Sequence, residues 1–253
     1  MASPSAKPLS EYALTGRSQE HVVPLPGSPC LLHPEAAAAF QALRSAARPA
    51  GLELQAVSGF RDLARQLAIW NGKYRGERPV LDRQGRAVDM AGLDEPGRVE
   101  AILVWSALPG ASRHHWGSDC DVVDAAALPA GEQQRLEPQD YAPGGRHAPL
   151  ADWLARHAGD YGFYAPYDID RGGVYPEPWH LSFAPVAGPA LAAMSPQLLA
   201  QALAGVSIEG RATIERRLPQ LFARYVSAVA APPAAALVAA RAAAAISRAA
   251  RPA

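Results

Sequence analysis

Cysteine is scarce in this chain, and its scarcity excludes two common ways of stabilising a small fold. The two cysteines, Cys30 and Cys120, are far apart in the sequence. A disulfide scaffold therefore cannot be the main source of stability, and no closely spaced cysteine pair is available to bind zinc. Cys120 alternates with Asp119 and Asp121, so we interpret it as a small buried side chain on the opposite face of a strand.

The chain also lacks an excess of charge and a long apolar run. It carries 24 Lys and Arg against 24 Asp and Glu, so we expect no electrostatic capture of nucleic acid or of an anionic membrane. No uninterrupted apolar stretch approaches the ~20 residues that span a bilayer. Residues 1–23 have no basic patch followed by an apolar core, so we expect no Sec-type signal peptide. As written, the sequence predicts a soluble protein that is not visibly exported.

Composition divides the chain into three parts. Residues 1–186 are predicted to form the main domain, with the Pro-, Ser- and Gly-rich residues 1–33 wrapping its surface. Residues 187–231 have apolar side chains at helical spacing and are predicted to form a helical appendage. Residues 232–253 are rich in alanine and have few large apolar side chains, so this tail is predicted to be helical or disordered and to bury little surface.

Helix and strand signals alternate within the main domain. An early proline and a closing Pro-Ala-Gly predict a helix over residues 34–51, and the alternation in 52–57 predicts a strand. Asp62 is a candidate N-cap for the next helix, and the aperiodic residues 75–96 predict an insertion loop. Further helices are predicted at 98–110 and 149–163, and further strands at 119–124 and 180–183.

Potential metal ligands are concentrated in the stretch ASRHHWGSDCDVVD, residues 111–124. A catalytic zinc site needs three protein ligands and one open coordination position. His114 lies on a predicted turn, Gly117 lets the backbone bend, and Asp121 lies on the strand that follows. A histidine and an aspartate on the two arms of such a turn can converge on one ion.

The third ligand has to come from another part of the chain, and the sequence EPWH offers the best candidate. His180 opens a predicted strand, and Glu177 lies three residues before it. This spacing lets a loop place the imidazole on the metal and the carboxylate beside a water molecule that the metal activates. A single histidine or aspartate is usually structural, but the two motifs together indicate a catalytic metal site.

Three motifs resemble those of a known enzyme family. The pattern Ser-x-His-x-x-Gly-x-x-x-Asp at 112–121 and the EPWH at 177–180 are similar to signatures of the VanY-like D-alanyl-D-alanine carboxypeptidases, which are zinc peptidases of the VanY/VanX group. An upstream SGFR at 58–61 resembles the SG[YF]R of that family and is followed by Gln66. The motifs occur in the family's order and span residues 58–183.

The resemblance implies a role for each matched residue. His114, Asp121 and His180 would be the ligands of one Zn²⁺ ion, and Glu177 would be the general base that takes a proton from the attacking water. The family also implies an α+β fold, in which a small and mainly antiparallel sheet with flanking helices carries the zinc site.

Three further residues are expected to act on the substrate. The resemblance implies that Arg61 stabilises the developing oxyanion or grips the substrate, and that Ser112 and Gln66 hold polar groups of the peptide. The expected activity is hydrolysis of the terminal D-Ala-D-Ala bond of a peptidoglycan stem peptide. Such a substrate places the protein at the cell envelope, although the absence of a signal peptide keeps a cytoplasmic precursor or recycled fragment open as the substrate.

Several alternatives stay open at this point. A D,D-dipeptidase or a stem-peptide endopeptidase would use the same residues, and a non-catalytic zinc-bound module could recognise cell-wall peptides, although it would not need Glu177. Asp119 is either a partner of a ligand or a rival to Asp121, which we prefer because its spacing from His114 matches the family. His115 is expected to be exposed or to face the substrate. The oligomeric state is open.

Overall fold

The computed structural model describes residues 8–129, 135–234 and 236–237. Strands within these ranges are β1 (Val23–Pro24), β2 (Leu31–Leu32), β3 (Leu54–Ser58), β4 (Asp119–Asp124), β5 (Phe163–Tyr164) and β6 (His180–Phe183). The α-helices are α1 (Glu11–Leu14), α2 (Pro34–Ala47), α3 (Leu63–Tyr74), α4 (Glu95–Leu103), α5 (Pro138–Tyr141), α6 (Ala148–His157), α7 (Ala184–Ala193), α8 (Pro196–Leu203) and α9 (Arg211–Phe222). Short 3₁₀ turns include Arg113–Trp116.

A four-stranded antiparallel sheet in the order β3-β4-β6-β5 is the centre of the fold. Strand β1 pairs with β2 in a separate two-stranded sheet. All six residues of β4 are buried, as expected of a central strand that is covered on both faces. The expected α+β class, with a small antiparallel sheet and flanking helices, is confirmed.

The alternation of side chains along β4 separates the core from the site. Cys120 and Val122 pack into an apolar cluster with Phe40 and Leu43 of α2, among others. Asp119 and Asp121 therefore project from the opposite face. Within the sheet Asp121 is paired with His180 of β6, which makes these two residues cross-strand neighbours.

Helix α3 begins where the sequence predicts. The Oδ1 atom of Asp62 accepts a hydrogen bond from the backbone N–H of Arg65 at 2.7 Å, which caps the first turn. Leu63 and Trp70 on one face of the helix are buried. Helix α4 begins at Glu95 and ends at Leu103, earlier at both ends than the predicted helix over 98–110. Its start is fixed by Asp94, whose Oδ1 accepts a hydrogen bond from the backbone N–H of Gly97 at 2.8 Å.

The predicted appendage is helical in α7, α8 and α9, and it packs closely against α3 and α4. Ile214 and Leu218 of α9 share an apolar cluster with Val99 and Ile102 of α4. The indole N–H of Trp70 also donates to the backbone oxygen of Glu209 at 3.0 Å. These helices thus support the elements that carry the site, while the domain boundary at residue 186 stays a prediction. Most of the predicted tail, 232–253, lies outside the described residues.

The N-terminal segment lies against the site's supporting turn. The indole N–H of Trp116 donates to the backbone oxygen of Leu14 at 3.1 Å, and His21 Nε2 donates to the backbone oxygen of His115 at 2.8 Å. Residues 8–33 therefore brace the 113–116 turn from outside. In the part of the chain that the structure describes, we find no helix with both the length and the apolar character that a membrane crossing requires.

Candidate metal centre and active-site cleft

The three predicted ligands lie together in the folded chain. His114 comes from the 113–116 turn, Asp121 from β4, and His180 from the first position of β6. One ligand atom of each lies within 4.8 Å of the others, and all three side chains are buried. Two nitrogens and one oxygen at such a spacing can coordinate one divalent ion.

Gly117 closes the turn that separates His114 from Asp121. Its φ of 67° lies in the left-handed region, which favours glycine. A Cβ atom at this position would lie 2.5 Å from Val22 Cγ1 and 2.8 Å from the backbone nitrogen of His33. The motif's glycine is therefore required both by the backbone conformation and by the close approach of the N-terminal segment.

A backbone contact fixes the ring orientation of His114. Its Nδ1–H donates to the carbonyl oxygen of Gly59 at 2.9 Å, so that Nε2 carries the free lone pair. This Nε2 lies 3.6 Å from Oδ2 of Asp121. Burial lowers the pKa of His114 to about 4, and the ring is therefore neutral at pH 7 and able to bind a metal.

His180 presents the opposite ring nitrogen. Its Nε2–H donates to Oδ2 of Asp119 at 2.9 Å, which leaves Nδ1 facing Oδ1 of Asp121 at 3.1 Å. Burial alone would lower the pKa of His180, but the carboxylates around the ring raise it well above its usual value. The same carboxylates favour a metal cation at Nδ1.

Two atoms at the centre of the site lie 3.1 Å apart but form no well-directed hydrogen bond with each other or with another described residue. They are Oδ1 of Asp121 and Nδ1 of His180, both of which are buried. A buried polar atom without a partner is costly, and native folds rarely keep one without a reason. A cation between the two atoms would satisfy both, so the residues present fit a bound divalent ion.

Asp119 lies behind His180 and accepts hydrogen bonds from several groups. Arg113 Nε donates to its Oδ2 at 2.7 Å and Ser182 Oγ to its Oδ1 at 3.0 Å. Burial alone would raise the pKa of Asp119, but the neighbouring Arg113 and His180 lower it well below its usual range. Of the two roles open from the sequence, the structure places Asp119 as the partner that orients His180.

Glu177 lies beside the three ligands. Its Oε2 atom is 3.3 Å from Nδ1 of His180, and the residue is only 9% exposed. The backbone N–H of Glu177 donates to the carbonyl oxygen of Tyr167 at 3.0 Å, which anchors the loop. Burial raises the pKa of Glu177, and a more basic carboxylate is a better proton acceptor.

Arg61 reaches the same cleft and is held by neutral groups. Its Nη1 donates to Gln66 Oε1 at 2.8 Å and its Nη2 to Ser58 Oγ at 3.2 Å. Gln66 is fully buried, and its amide group also donates to the backbone oxygen of Ala107 at 2.7 Å. Gln66 therefore holds the guanidinium of Arg61 in place, and the contact of Gln66 with a substrate stays a prediction.

Ser112 lines the cleft beside His114, as a substrate-contacting residue would. His115 differs from expectation, because it is fully buried. Its Nδ1–H donates to the backbone oxygen of Arg61 at 2.6 Å, and its Nε2 accepts from the N–H of Gly110 at 3.1 Å. His115 therefore links the two motif loops from inside and does not face the substrate.

The cleft beside the metal ligands has a volume of about 550 Å³ and extends to an aromatic wall. Trp105 stacks on Trp179 with ring centroids 6.0 Å apart and meets Tyr175 edge-on at 5.2 Å. Sequence reasoning missed this wall and also Lys73 in the cleft. Lys73 is one of only two lysines in the chain and lies two turns after Gln66 on α3. Its rarity and its position on the same helix as Gln66 could have marked it as a candidate site residue.

Comparison with known proteins assigns the family. A family model described as VanY, D-alanyl-D-alanine carboxypeptidase, matches residues 29–186. An uncharacterized protein of Haemophilus influenzae is 48% identical over 103 residues, which are 40% of this chain and 70% of that protein. A second uncharacterized protein of the same organism is 36% identical over 121 residues, covering 47% of this chain and 92% of its own length.

Solved structures of similar proteins include VanYB in complex with D-Alanine-D-Alanine. It is 18% identical, with a TM-score of 0.48, over 79% of this chain and 90% of its own. A mutant of the vancomycin-resistance D,D-pentapeptidase VanY in complex with Zn(II) is 20% identical, with a TM-score of 0.47, over 72% of this chain and 88% of its own. The match of the family model to most of the chain is decisive, and the chain belongs to the VanY family of D-alanyl-D-alanine carboxypeptidases.

Proposed function

We propose that the protein is a zinc-dependent D,D-carboxypeptidase that hydrolyses the terminal D-Ala-D-Ala bond of peptidoglycan stem peptides. One Zn²⁺ ion would be held by His114, Asp121 and His180. The observation that carries the proposal is the pair of orphaned, buried ligand atoms on Asp121 and His180, directly beside the carboxylate of Glu177. Three ligands and an open position are typical of catalytic zinc, in contrast to the closed four-ligand sites that stabilise folds.

The two imidazoles and the carboxylate suit zinc better than calcium or magnesium. Zinc accepts nitrogen and oxygen ligands in a tetrahedral site, whereas calcium and magnesium prefer oxygen ligands alone. The hydrogen bonds from His114 to the Gly59 carbonyl and from His180 to Asp119 keep one ring nitrogen of each free for coordination. Zinc bound there supplies Lewis-acid activation of water and of the scissile carbonyl.

Glu177 and Arg61 perform the proton transfer and the charge stabilisation. Glu177 accepts the proton of the attacking water and then delivers it to the amine of the leaving D-alanine. Arg61 donates hydrogen bonds to the carbonyl oxygen as negative charge develops on it, and its position is set in advance by Gln66 and Ser58. Ser112 lines the cleft and would contact a polar group of the peptide there.

The proposal is tested by D-alanine release from a muramyl pentapeptide that ends in D-Ala-D-Ala. The zinc-loaded protein is expected to release D-alanine, and dialysis against a chelator is expected to stop the release until zinc is restored. Glu177→Gln keeps the size of the side chain but removes the base, so the rate is expected to fall about 10²–10⁴-fold with unchanged zinc content.

Glu53→Gln provides a matched control, because Glu53 is exposed on the surface. Full activity in Glu177→Gln, or after complete metal removal, would remove the proposed mechanism. The same assay with D-Ala-D-Ala dipeptide and with cross-linked stem peptides separates a carboxypeptidase from a dipeptidase and an endopeptidase. Zinc binding without turnover of any of these peptides would favour a non-catalytic peptide-binding module. The family's cell-wall substrates make the cell envelope the proposed site of action.

A further inference from the structure

Lys73 places a second cationic side chain in the cleft beside Arg61. Ile69 and Lys73 lie one turn apart on α3, and both line the cleft that contains the metal ligands. The ammonium group of Lys73 donates to Ser106 Oγ at 2.7 Å, and Ser106 lines the same cleft. The hydroxyl therefore holds Nζ at the cleft wall.

Lys73 has no counter-ion among the residues that the structure describes. It is partly buried and forms no ion pair with any of their carboxylates. Burial lowers the pKa of Lys73 to about 8, and the side chain is therefore still mainly protonated at pH 7. A partly desolvated ammonium group with a single neutral partner has unused capacity for an anion.

The charges around the cleft favour an anionic ligand. Arg113 and Asp119 neutralise each other behind His180. The charges of Asp121 and Glu177 would be balanced by one divalent ion. Arg61 and Lys73 then have no ion-pair partner of their own, because both donate hydrogen bonds only to neutral oxygen atoms and the nearby carboxylate of Glu177 is shared with the metal site.

The two cations suit two different negative charges of one peptide. Arg61, which is half-buried and held in place by Gln66, suits the charge that appears on the scissile carbonyl oxygen. Lys73, on a flexible stem further along α3, suits a charge that the substrate already has before the reaction. A peptide that ends in a free carboxylate one residue beyond the scissile bond carries such a charge.

We propose that Lys73 binds the C-terminal carboxylate of the substrate and thereby makes the site select peptides with a free C-terminus. This inference rests on the proposed peptidase function and deepens it, since it identifies a residue that favours a carboxypeptidase over an endopeptidase. Ser106 orients the ammonium group for this contact. An internal peptide bond presents no carboxylate at this place and would leave Lys73 unpaired.

The test compares binding of two probes that differ only at the C-terminus. Diacetyl-L-Lys-D-Ala-D-Ala and its C-terminal amide are titrated calorimetrically into zinc-loaded protein that carries Glu177→Gln, which prevents turnover. The free acid is expected to bind about 10-fold more tightly than the amide or better, as for other charge-assisted contacts. Adding Lys73→Met is expected to remove this preference by weakening binding of the acid alone, and Lys73→Arg is expected to restore part of it.

Two further variants keep the test specific. Arg65→Met removes a positive charge from the exposed face of the same helix and is expected to leave the preference intact. Ser106→Ala removes the hydroxyl that holds Nζ and is expected to reduce the preference, which covers the case in which Lys73→Met does not fold. Equal binding of acid and amide by the parent, or a preference that persists in Lys73→Met, overturns the proposal.

Turnover by the chain with Glu177 intact separates this inference from the proposed function. A Lys73-dependent preference for the acid without D-alanine release supports the carboxylate site and rejects the carboxypeptidase. Release of D-alanine and of D-alanine amide at equal efficiency supports a peptidase and rejects the role of Lys73.

Discussion

The carboxylate of Asp119 lies 2.9 Å from Nε2 of His180, on the side of the imidazole that faces away from the other two ligands. Asp119 and Asp121 project from the same face of β4, and His180 lies across from Asp121 on β6. One strand thus supplies both a predicted metal ligand and the group that fixes the tautomer of another. The buried guanidinium of Arg113 in turn fixes Asp119.

Replacement of Asp119 is expected to weaken metal binding although Asp119 is not a ligand. Asp119→Asn keeps the size of the side chain but removes the charge that strengthens the hydrogen bond from His180, and the zinc dissociation constant is expected to rise about 10–100-fold. Competition with a chromogenic chelator measures this constant without reference to activity. Asp152→Asn, at an exposed position of α6, is the control. Unchanged zinc affinity in Asp119→Asn would reject the positioning role.

Gln66 is expected to affect catalysis through Arg61. In Gln66→Leu, Arg61 Nη1 loses its acceptor and the carbonyl oxygen of Ala107 loses its donor, so the guanidinium is no longer held in place. We expect kcat to fall roughly 10-fold or more, as after the loss of one oriented hydrogen bond in a transition state, with zinc content unchanged. Gln201→Leu on the exposed face of α8 is the matched control. A rise in KM with full kcat would instead indicate that Gln66 contacts the substrate.

The clustering of His114, Asp121 and His180 could be predicted from the sequence because their positions depend mainly on local geometry. His114 lies on a turn that Gly117 closes, and Asp121 lies on the strand that follows. His180 is identified by Glu177, which lies three residues before it in the EPWH motif. The antiparallel pairing of β4 with β6 then brings the two segments together. Such motifs can be recognised in a single sequence because residues such as the glycine of the turn are required by one backbone conformation.

The residues around the ligands could not be predicted in the same way. His115 is adjacent to a ligand and polar, which favours an exposed position, but tertiary packing buries it between the Arg61 and Gly110 backbones. The positions of Gln66 and Lys73 depend on the packing of α3 against the 105–107 loop. Local sequence patterns do not predict such a contact between distant segments. The close packing of the C-terminal helices on α3 and α4 likewise depends on contacts between distant segments.

Gly117 offers a test of the turn that separates His114 from Asp121. Gly117→Ala is expected to destabilise the protein by more than the ~1–2 kcal/mol that a left-handed alanine costs, because its Cβ would also clash with Val22 and with the His33 backbone. Gly51→Ala is the matched control, since Gly51 has a φ of 77° but nothing within 4 Å of the added atom. Urea unfolding measures both variants. Equal losses of stability would show that the N-terminal segment does not pack tightly on the turn.

Stability of the metal-free protein is expected to fall in mild acid because His115 stays neutral in the fold. Burial lowers the pKa of His115 to about 4, although its hydrogen bond to the Arg61 carbonyl opposes the shift, whereas the unfolded chain titrates near pH 6.5. Below pH ~6.5 the unfolded state therefore binds more protons than the folded state, and the contribution of His115 is lost as the pH falls towards 4.

The size of the shift sets the expected loss. The difference between the folded and unfolded pKa values of His115 corresponds to a contribution on the order of 3 kcal/mol to the free energy of unfolding, present in full above pH ~6.5. Urea unfolding between pH 7 and pH 4 measures the loss, and His115→Gln is expected to make the dependence on pH shallower because glutamine does not titrate. Burial also lowers the pKa values of His33 and His114 to about 4, so these two residues leave part of the dependence in place in the metal-free protein. An identical pH slope in both proteins would mean that folding does not shift the pKa of His115.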